Sequence, residues 1–356
     1  MKNREIWVNY KKRFIAEAQR EKYSAEKIED LLEYAKKLYD QQLPIIYDGI
    51  HLSRLLGFQT NFIYGITNSP SYYYRTYKIP KKQIGKYREI SEPLPNLKKI
   101  QFWINEKILK NFKINPYIKS YIKNRSIKDN AKFHKNKKIV LTLDIEKYFP
   151  SFSYQKIYSF FIKIGYTESV AVALSKLCYF NGLPQGAPTS PTLSNLLTED
   201  IDKRIVAFCK FQNLKSNKIN YTRYADDLTF SGDFRVGKVI KVVKEILSSE
   251  GFNLNEEKIR VRRKNSNQEV TGITVNQVLR ASKKMRNSVR QEVYYIKKYG
   301  MIEHIKRKMG NEENIGYHYD RLIGVCNFII YINSKEDEEY VEYKKFLLSE
   351  KKLAGY

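Results

Sequence analysis

The chain has 356 residues, 42% of them hydrophobic, enough for a sizeable core or for two or three cooperating subdomains. Aromatic residues make up 14%, with 29 Tyr, which excludes a disordered composition. Lys and Arg number 65 against 38 Asp and Glu, a net charge of +27, so an anionic partner is expected, with nucleic acid ahead of a membrane surface because the basic segments also carry Tyr and Phe.

Cys178, Cys209 and Cys326 lie far apart with no CxxC pair, so neither a zinc ribbon nor a disulfide framework is expected, and a reducing cytoplasm fits. The first residues are charged without an apolar stretch, so no signal peptide is expected. No apolar run approaches the roughly 20 residues that span a bilayer. No membrane association is expected.

Residues 24–39 read as a helix: Ser24 caps, and Ile28, Leu31, Leu32, Ala35 and Leu38 recur at helical spacing. Residues 70–94 are basic and aromatic and read as extended segments around a turn near Gly85. Residues 96–112 read as an amphipathic helix. The β-branched run Lys138 to Asp144 predicts a buried strand ending on an acid. A helix is expected at 153–164, then a Gly- and Pro-dense loop at 182–191, then one helix through Leu193, Leu196, Leu197, Ile201 and Ile205. Tyr221 to Gly232 reads as a β-hairpin with two acids at its tip. A helix through Val236 to Leu247 follows, stopped by Gly251. Lys258 to Arg263 alternates apolar and basic residues like a half-buried strand, and 270–276 reads as another strand. From Ser282 the pattern is helical up to Gly300.

Asp144 at a strand end and Asp226 and Asp227 at a hairpin tip are the chemical clue. Three such carboxylates repel one another unless divalent cations neutralise them. Mg²⁺ takes a few oxygen ligands and completes its shell with water and substrate phosphates. Two ions about 4 Å apart serve both oxygens of an in-line phosphoryl displacement. A lone Asp-Asp is more simply a solvated turn. Here the pair sits in an apolar strand, Tyr-Ala-Asp-Asp, apolar strand, which solubility alone does not require.

Tyr224-Ala225-Asp226-Asp227 resembles the YxDD signature of reverse transcriptases. Leu143-Asp144-Ile145 with Phe149 resembles their first metal-binding motif, and Leu183-Pro184-Gln185-Gly186 the loop that supports the templating base and incoming nucleotide. Arg88 resembles the triphosphate-gripping residue of the fingers, and Lys258 stands where the family has a lysine near the leaving pyrophosphate. Asn130-Ala131-Lys132-Phe133-His134 matches the NAxxH pattern of bacterial retron enzymes, and Val270-Thr271-Gly272 their VTG motif.

The resemblance implies an α+β right-hand polymerase fold with fingers, a palm built on an antiparallel sheet, and a helical thumb. Residues 1–69 would be an N-terminal helical extension, 70–135 the fingers with part of 153–190, 136–277 the palm, and 278–356 an RNA-binding thumb. Asp144, Ile145, Asp226 and Asp227 would hold two Mg²⁺ ions, with Mn²⁺ the alternative. Lys258 would protonate pyrophosphate. Lys81, Lys82 and Arg88 would contact the triphosphate, with Ile145 and Gln185 at the nucleotide and Phe149 excluding a ribose 2′-OH. Asn130, His134, Val270, Thr271, Gly272, Arg262, Arg263, Lys283, Lys284 and Arg286 would hold RNA or primer. Each has a plainer reading: surface charge for the cations, core packing for Phe149, a satisfied structural histidine for His134, a bulge for Gly272.

The implied partners are deoxynucleoside triphosphates, a cognate structured non-coding RNA serving as template and primer, and the multicopy single-stranded DNA made from a guanosine 2′-OH of that RNA. A role in defence against phage is implied. No nuclease, protease or membrane segment is visible, so an effector would be a separate protein. The rivals are a group II intron or diversity-generating reverse transcriptase, an RNA-dependent RNA polymerase, and a non-catalytic RNA-binding scaffold. NAxxH and VTG oppose the first, Phe149 the second, and the three acids the third.

Overall fold

The computed structural model describes residues 2–80, 85–214, 218–309, 315–333 and 337–356. The chain divides into two units: residues 1–116, 146–203 and 247–253 in one, and 117–145, 204–246 and 254–356 in the other.

The first unit is mostly helical. Its helix Ala25–Asp40 starts where Ser24 accepts the Lys27 N–H and buries Ile28, Leu32, Ala35 and Leu38, the predicted stripe. Strands β1 (Tyr74–Pro80) and β2 (Tyr87–Pro93) form an antiparallel ribbon, and six of the seven β1 residues are exposed. The helix expected at 96–112 runs Pro95–Lys107 and tightens into a 3₁₀ turn at Leu109–Asn111. Helix Tyr154–Lys163 matches expectation. The single helix expected after the Gly-Pro loop is broken into Ser190–Leu197 and Glu199–Leu214. At the break the Thr198 hydroxyl donates to the Ser194 carbonyl at 2.7 Å, competing with the backbone ladder.

The second unit is built on a four-stranded antiparallel sheet ordered β4-β5-β3-β6: β3 is Ile139–Asp144, β4 Ile219–Tyr224, β5 Asp227–Gly232 and β6 Arg260–Arg263. Val140, Leu141, Leu143, Leu228 and Phe230 are fully buried, so the apolar runs that predicted β3 and the hairpin reflect burial on both faces. Gly232 closes β5 at φ 144°, and a Cβ there would lie 1.6 Å from the Lys218 carbonyl oxygen, so only glycine fits. The strand expected at 258–263 forms over Arg260–Arg263 but is not half-buried. Lys258 lies in a 3₁₀ turn, Glu256–Lys258, and β6 is largely exposed, Val261 at 43%. As an edge strand covered on neither face, β6 leaves its alternation unburied.

The strand expected at 270–276 is a tight hairpin, β7 (Glu269–Val270) and β8 (Ile273–Thr274), with β9 (Arg280–Ala281) completing a small sheet. Thr271 (φ 46°) and Gly272 (φ 81°) are both left-handed, as a two-residue hairpin turn requires. The helical tail does not stop at Gly300. That residue (φ 78°) kinks a helix continuing to Met309, and helices Ile315–Asn333 and Glu338–Leu353 follow. Val289, Val293, Ile296, Leu322, Cys326, Ile329 and Leu347 pack with Val270, Ile273, Val275 and Ala281 into one core. Among the described residues no helix is long and apolar enough to cross a membrane.

Candidate active site

Two strands bring the acids together. Asp144, the last residue of β3, and Asp227, the first of β5, are direct cross-strand partners. Such partners have Cα atoms about 4.5–5.5 Å apart. Asp226 stands on the turn before β5, and its carbonyl accepts the Ile145 N–H at 3.0 Å. Asp144 is 7% exposed; Asp226 and Asp227 are half-buried. Burial, then the Asp226 and Asp144 charges, pushes the Asp227 carboxyl up to about 7, against the opposing pull of Lys258.

Lys258 reaches this corner from its 3₁₀ turn. Its ammonium donates to both Asp144 oxygens at 2.9 Å, and the turn is tied to β3 by the Asn255 N–H on the Asp144 carbonyl at 2.8 Å.

Among the described residues no three His, Cys, Asp or Glu side chains are oriented to hold a metal ion as they stand. The Asp144 oxygens face Lys258 instead. The donor chemistry nevertheless fits a hard divalent cation. The side-chain donors are carboxylate oxygens from one sheet corner; burial, and then the neighbouring acids, drives Asp227 toward its protonated form, and a cation relieves the repulsion among them.

Asn130, His134 and Val270 are fully buried, so the side chains expected on RNA face the protein interior. The Thr222 hydroxyl donates to Asn130 Oδ1 at 2.6 Å. A hydroxyl has one proton, so Thr222 must accept from His134 Nε2 at 2.7 Å, and Nδ1 then accepts from the Ser231 hydroxyl at 2.8 Å. The ring is thereby fixed as the neutral Nε2–H tautomer. Burial, then the Lys137 and Lys119 charges, pushes it down to about 3. Asn130 Nδ2 reaches Thr271 Oγ1 at 3.5 Å. This polar chain links the Thr271–Gly272 turn to β4 and β5. Gly272 is exposed and Thr271 half-buried, so the turn's outer face is open to a partner.

Among the basic residues of this unit, Arg263, Lys283 and Lys284 are exposed. Arg262 donates to the Glu269 carbonyl and Arg286 to the Ala281 carbonyl, both at 3.1 Å. Arg290 forms a bidentate pair with Glu339 at 2.6 Å. Part of the basic face is therefore committed internally.

In the first unit Arg88 is exposed on β2. The Gln185 carbonyl accepts the Ser91 N–H at 2.9 Å, which ties its loop to that ribbon. Phe149 is half-buried, and its carbonyl accepts the Leu183 N–H at 2.9 Å. A Cβ on Gly182 would sit 2.7 Å from that oxygen, so the close approach requires glycine. Lys81 and Lys82 lie outside the described residues.

Sequence reasoning missed Ser120 and Arg223, whose polar atoms meet the Ala225 backbone. Arg223 was legible in principle. It sits inside an apolar strand just before the acids, where a charged residue has no solvent to face.

Residues 79–275 match the sequence family described as Reverse transcriptase (RNA-dependent DNA polymerase). Retron Ec86 reverse transcriptase of Escherichia coli is 29% identical over 315 residues, 86% of this chain and 91% of that one. Retron Ec83 reverse transcriptase of the same species is 31% identical over 272 residues, 70% of this chain and 85% of that one. Retron Mx65 reverse transcriptase of Myxococcus xanthus is 29% identical over 294 residues, 77% of this chain and 64% of that one. Reverse transcriptases use divalent metal ions and act on nucleic acid. With its mixed helices and antiparallel sheets, this chain has their α+β right-hand polymerase fold, and it belongs to the reverse transcriptases, within them to the retron enzymes, as an RNA-directed DNA polymerase.

Proposed function

We propose that this chain copies a cognate structured non-coding RNA into multicopy single-stranded DNA, starting from the 2′-OH of a guanosine in that RNA. The observation that carries the reading is the cross-strand pairing of Asp144 with Asp227, with Asp226 beside them. These acids and the Ile145 backbone carbonyl hold two Mg²⁺ ions, or Mn²⁺. When bound, the ions stabilise the attacking and leaving oxygens of nucleotidyl transfer. Lys258, whose ammonium rests on the Asp144 carboxylate, gives a proton to departing pyrophosphate. Arg88, with Lys81 and Lys82, binds the triphosphate, Gln185 supports the nucleotide, and Phe149 excludes a 2′-OH.

Residues 70–135 with part of 153–190 serve as fingers, 136–277 as palm and 278–356 as thumb, behind an N-terminal extension at 1–69. Arg263, Lys283 and Lys284 contact RNA phosphates, and the Thr271–Gly272 turn contacts the primer. Asn130, His134 and Val270 shape that turn from beneath. The enzyme works in the cytoplasm, away from membranes, in phage defence with a separate effector protein.

The test is purification with the RNA encoded beside the gene, followed by addition of deoxynucleotides and Mg²⁺. DNA that stays attached to RNA after denaturation, and is freed by a 2′–5′ debranching enzyme, is the expected product. DNA made without an RNA linkage would remove the retron mechanism while leaving polymerisation.

A further inference from the structure

The turn that carries the acids is strained and held from outside. Ala225 stands at φ 57°, a left-handed conformation unfavourable for any residue with a Cβ. Its N–H donates to the Ser120 hydroxyl oxygen at 2.8 Å, and its carbonyl accepts from Arg223 Nη1 at 3.2 Å. The next carbonyl, of Asp226, accepts the Ile145 N–H at 3.0 Å. Ser120 and Arg223 are both fully buried.

Ser120 is delivered by a segment lying along the free edge of β4. The Arg223 N–H donates to the Tyr117 carbonyl at 3.0 Å, the Lys119 N–H donates to the Arg223 carbonyl at 2.8 Å, and Ile118 pairs with Arg223 in parallel. Covering a sheet edge requires only these backbone bonds. It requires neither a buried hydroxyl nor a buried guanidinium, and burying the latter is costly. Both side chains reach the one strained residue between Tyr224 and the acids.

We propose that Ser120 and Arg223 are positioning residues: they clamp the left-handed Ala225 so that Asp226 and Asp227 leave the turn in metal-binding geometry. The inference rests on the reading of Asp144, Asp226 and Asp227 as the metal-binding acids. Neither residue touches substrate. Loss of the clamp lets the turn relax toward negative φ, swinging the Asp226 carboxylate while β5 stays paired. A displacement of about 1 Å at reacting groups can cost up to about a hundredfold in rate.

The test compares Ser120→Ala, Arg223→Lys and Asp227→Ala with the unaltered full chain. One readout is Mn²⁺ binding to the protein alone, followed by electron paramagnetic resonance. The other is kcat and KM for deoxynucleotide on an annealed template–primer. Ser120→Ala should weaken Mn²⁺ binding several-fold and lower kcat about tenfold, with KM within about twofold. Arg223→Lys, which keeps the charge but shortens the reach, should shift both readouts the same way, and it carries the test if Ser120→Ala does not fold. A lowered melting temperature with unchanged Mn²⁺ binding and kcat would make the clamp merely structural and overturn the proposal. If Asp227→Ala abolishes both readouts while the clamp variants change neither, the proposal fails alone. If Asp227→Ala leaves both intact, the reading of the acids fails.

Discussion

The Lys258 ammonium lies 2.9 Å from each Asp144 carboxylate oxygen, so one cation of the protein occupies the donor atoms a metal ion would use. Replacing Lys258 by Met should therefore do two opposed things. Mn²⁺ binding to the protein without nucleotide should tighten, because a competing charge is gone. Single-nucleotide addition should slow by about a hundredfold, the low end of general-acid catalysis. Rapid-quench kinetics beside a Mn²⁺ titration checks both, and an unchanged addition rate would remove Lys258 from the chemistry.

Asp227→Asn keeps the shape of the side chain and removes its charge. Primer extension should fall by at least about a hundredfold, since a ligand shared by transition-state charges is lost. Circular dichroism should stay that of the unaltered chain, because burial, with the neighbouring acids behind it, already drives this carboxyl up to about 7 and a neutral amide costs the fold little. Extension above a tenth of the normal rate would contradict the assignment.

His134 makes acid stability a readout of the buried polar chain. Folding holds its pKa at about 3, while the unfolded chain titrates near 6.5. Between these values the unfolded state binds the extra proton. Stability from this group is intact above pH 6.5 and lost as pH falls toward 3, at up to about 1.4 kcal/mol per pH unit. Urea unfolding at pH 7.5 and pH 5 should show the unaltered chain losing roughly 2 kcal/mol more than His134→Gln does. His134→Ala should cost about 2–4 kcal/mol at neutral pH by stranding the Thr222 and Ser231 hydroxyls. Equal pH slopes in the Gln variant and the unaltered chain would mean that the ring is protonated or open to water.

Phe149→Val should let ribonucleotides in. The ratio of kcat/KM for deoxy- over ribonucleotide should fall at least about tenfold, the discrimination that roughly 1.4 kcal/mol of steric exclusion provides. A core-packing role alone would lower stability and leave the ratio unchanged.

Lys283 and Lys284 are exposed at the start of the helix Lys283–Met309. Changing both to Ala should weaken RNA binding and reduce the slope of log affinity against log salt by about 1.4 to 1.8, the range for two lost phosphate contacts on single- and double-stranded nucleic acid. An unchanged slope would place the RNA elsewhere.

The elements that positioned the acids were legible because burial writes itself into residue type. β3 and the β4–β5 hairpin are runs of branched and aromatic residues, but the two-residue tip is Ala225–Asp226 rather than the two acids, with Asp227 already paired in β5. What was not legible was polarity turned inward. Nothing in the sequence marks Asn130 as interior, and for His134 a structural role is only the plainer reading; the bonds of Asn130 to Thr222 and Thr271, and of His134 to Thr222 and Ser231, turn both inward. Ser120 is distant in sequence from the turn it holds. Val270 to Asn276 has the composition of a strand, and the left-handed Thr271 that folds it into a hairpin carries no sequence signal because threonine rarely adopts that conformation. Lys258 belongs to a run whose alternation mimics burial on an edge that stays exposed.

Gly232 sits at the far end of the hairpin from the acids, pressed against the Lys218 carbonyl where no side chain fits. It works as an end stop for assembly. A register in which β5 slides past β4 would carry a side chain into that contact, so the slipped pairings open to most hairpins are closed here. Counted back from this stop, the hairpin tip can form in one place, which turns a missing methyl group into the ruler that sets Asp227 opposite Tyr224.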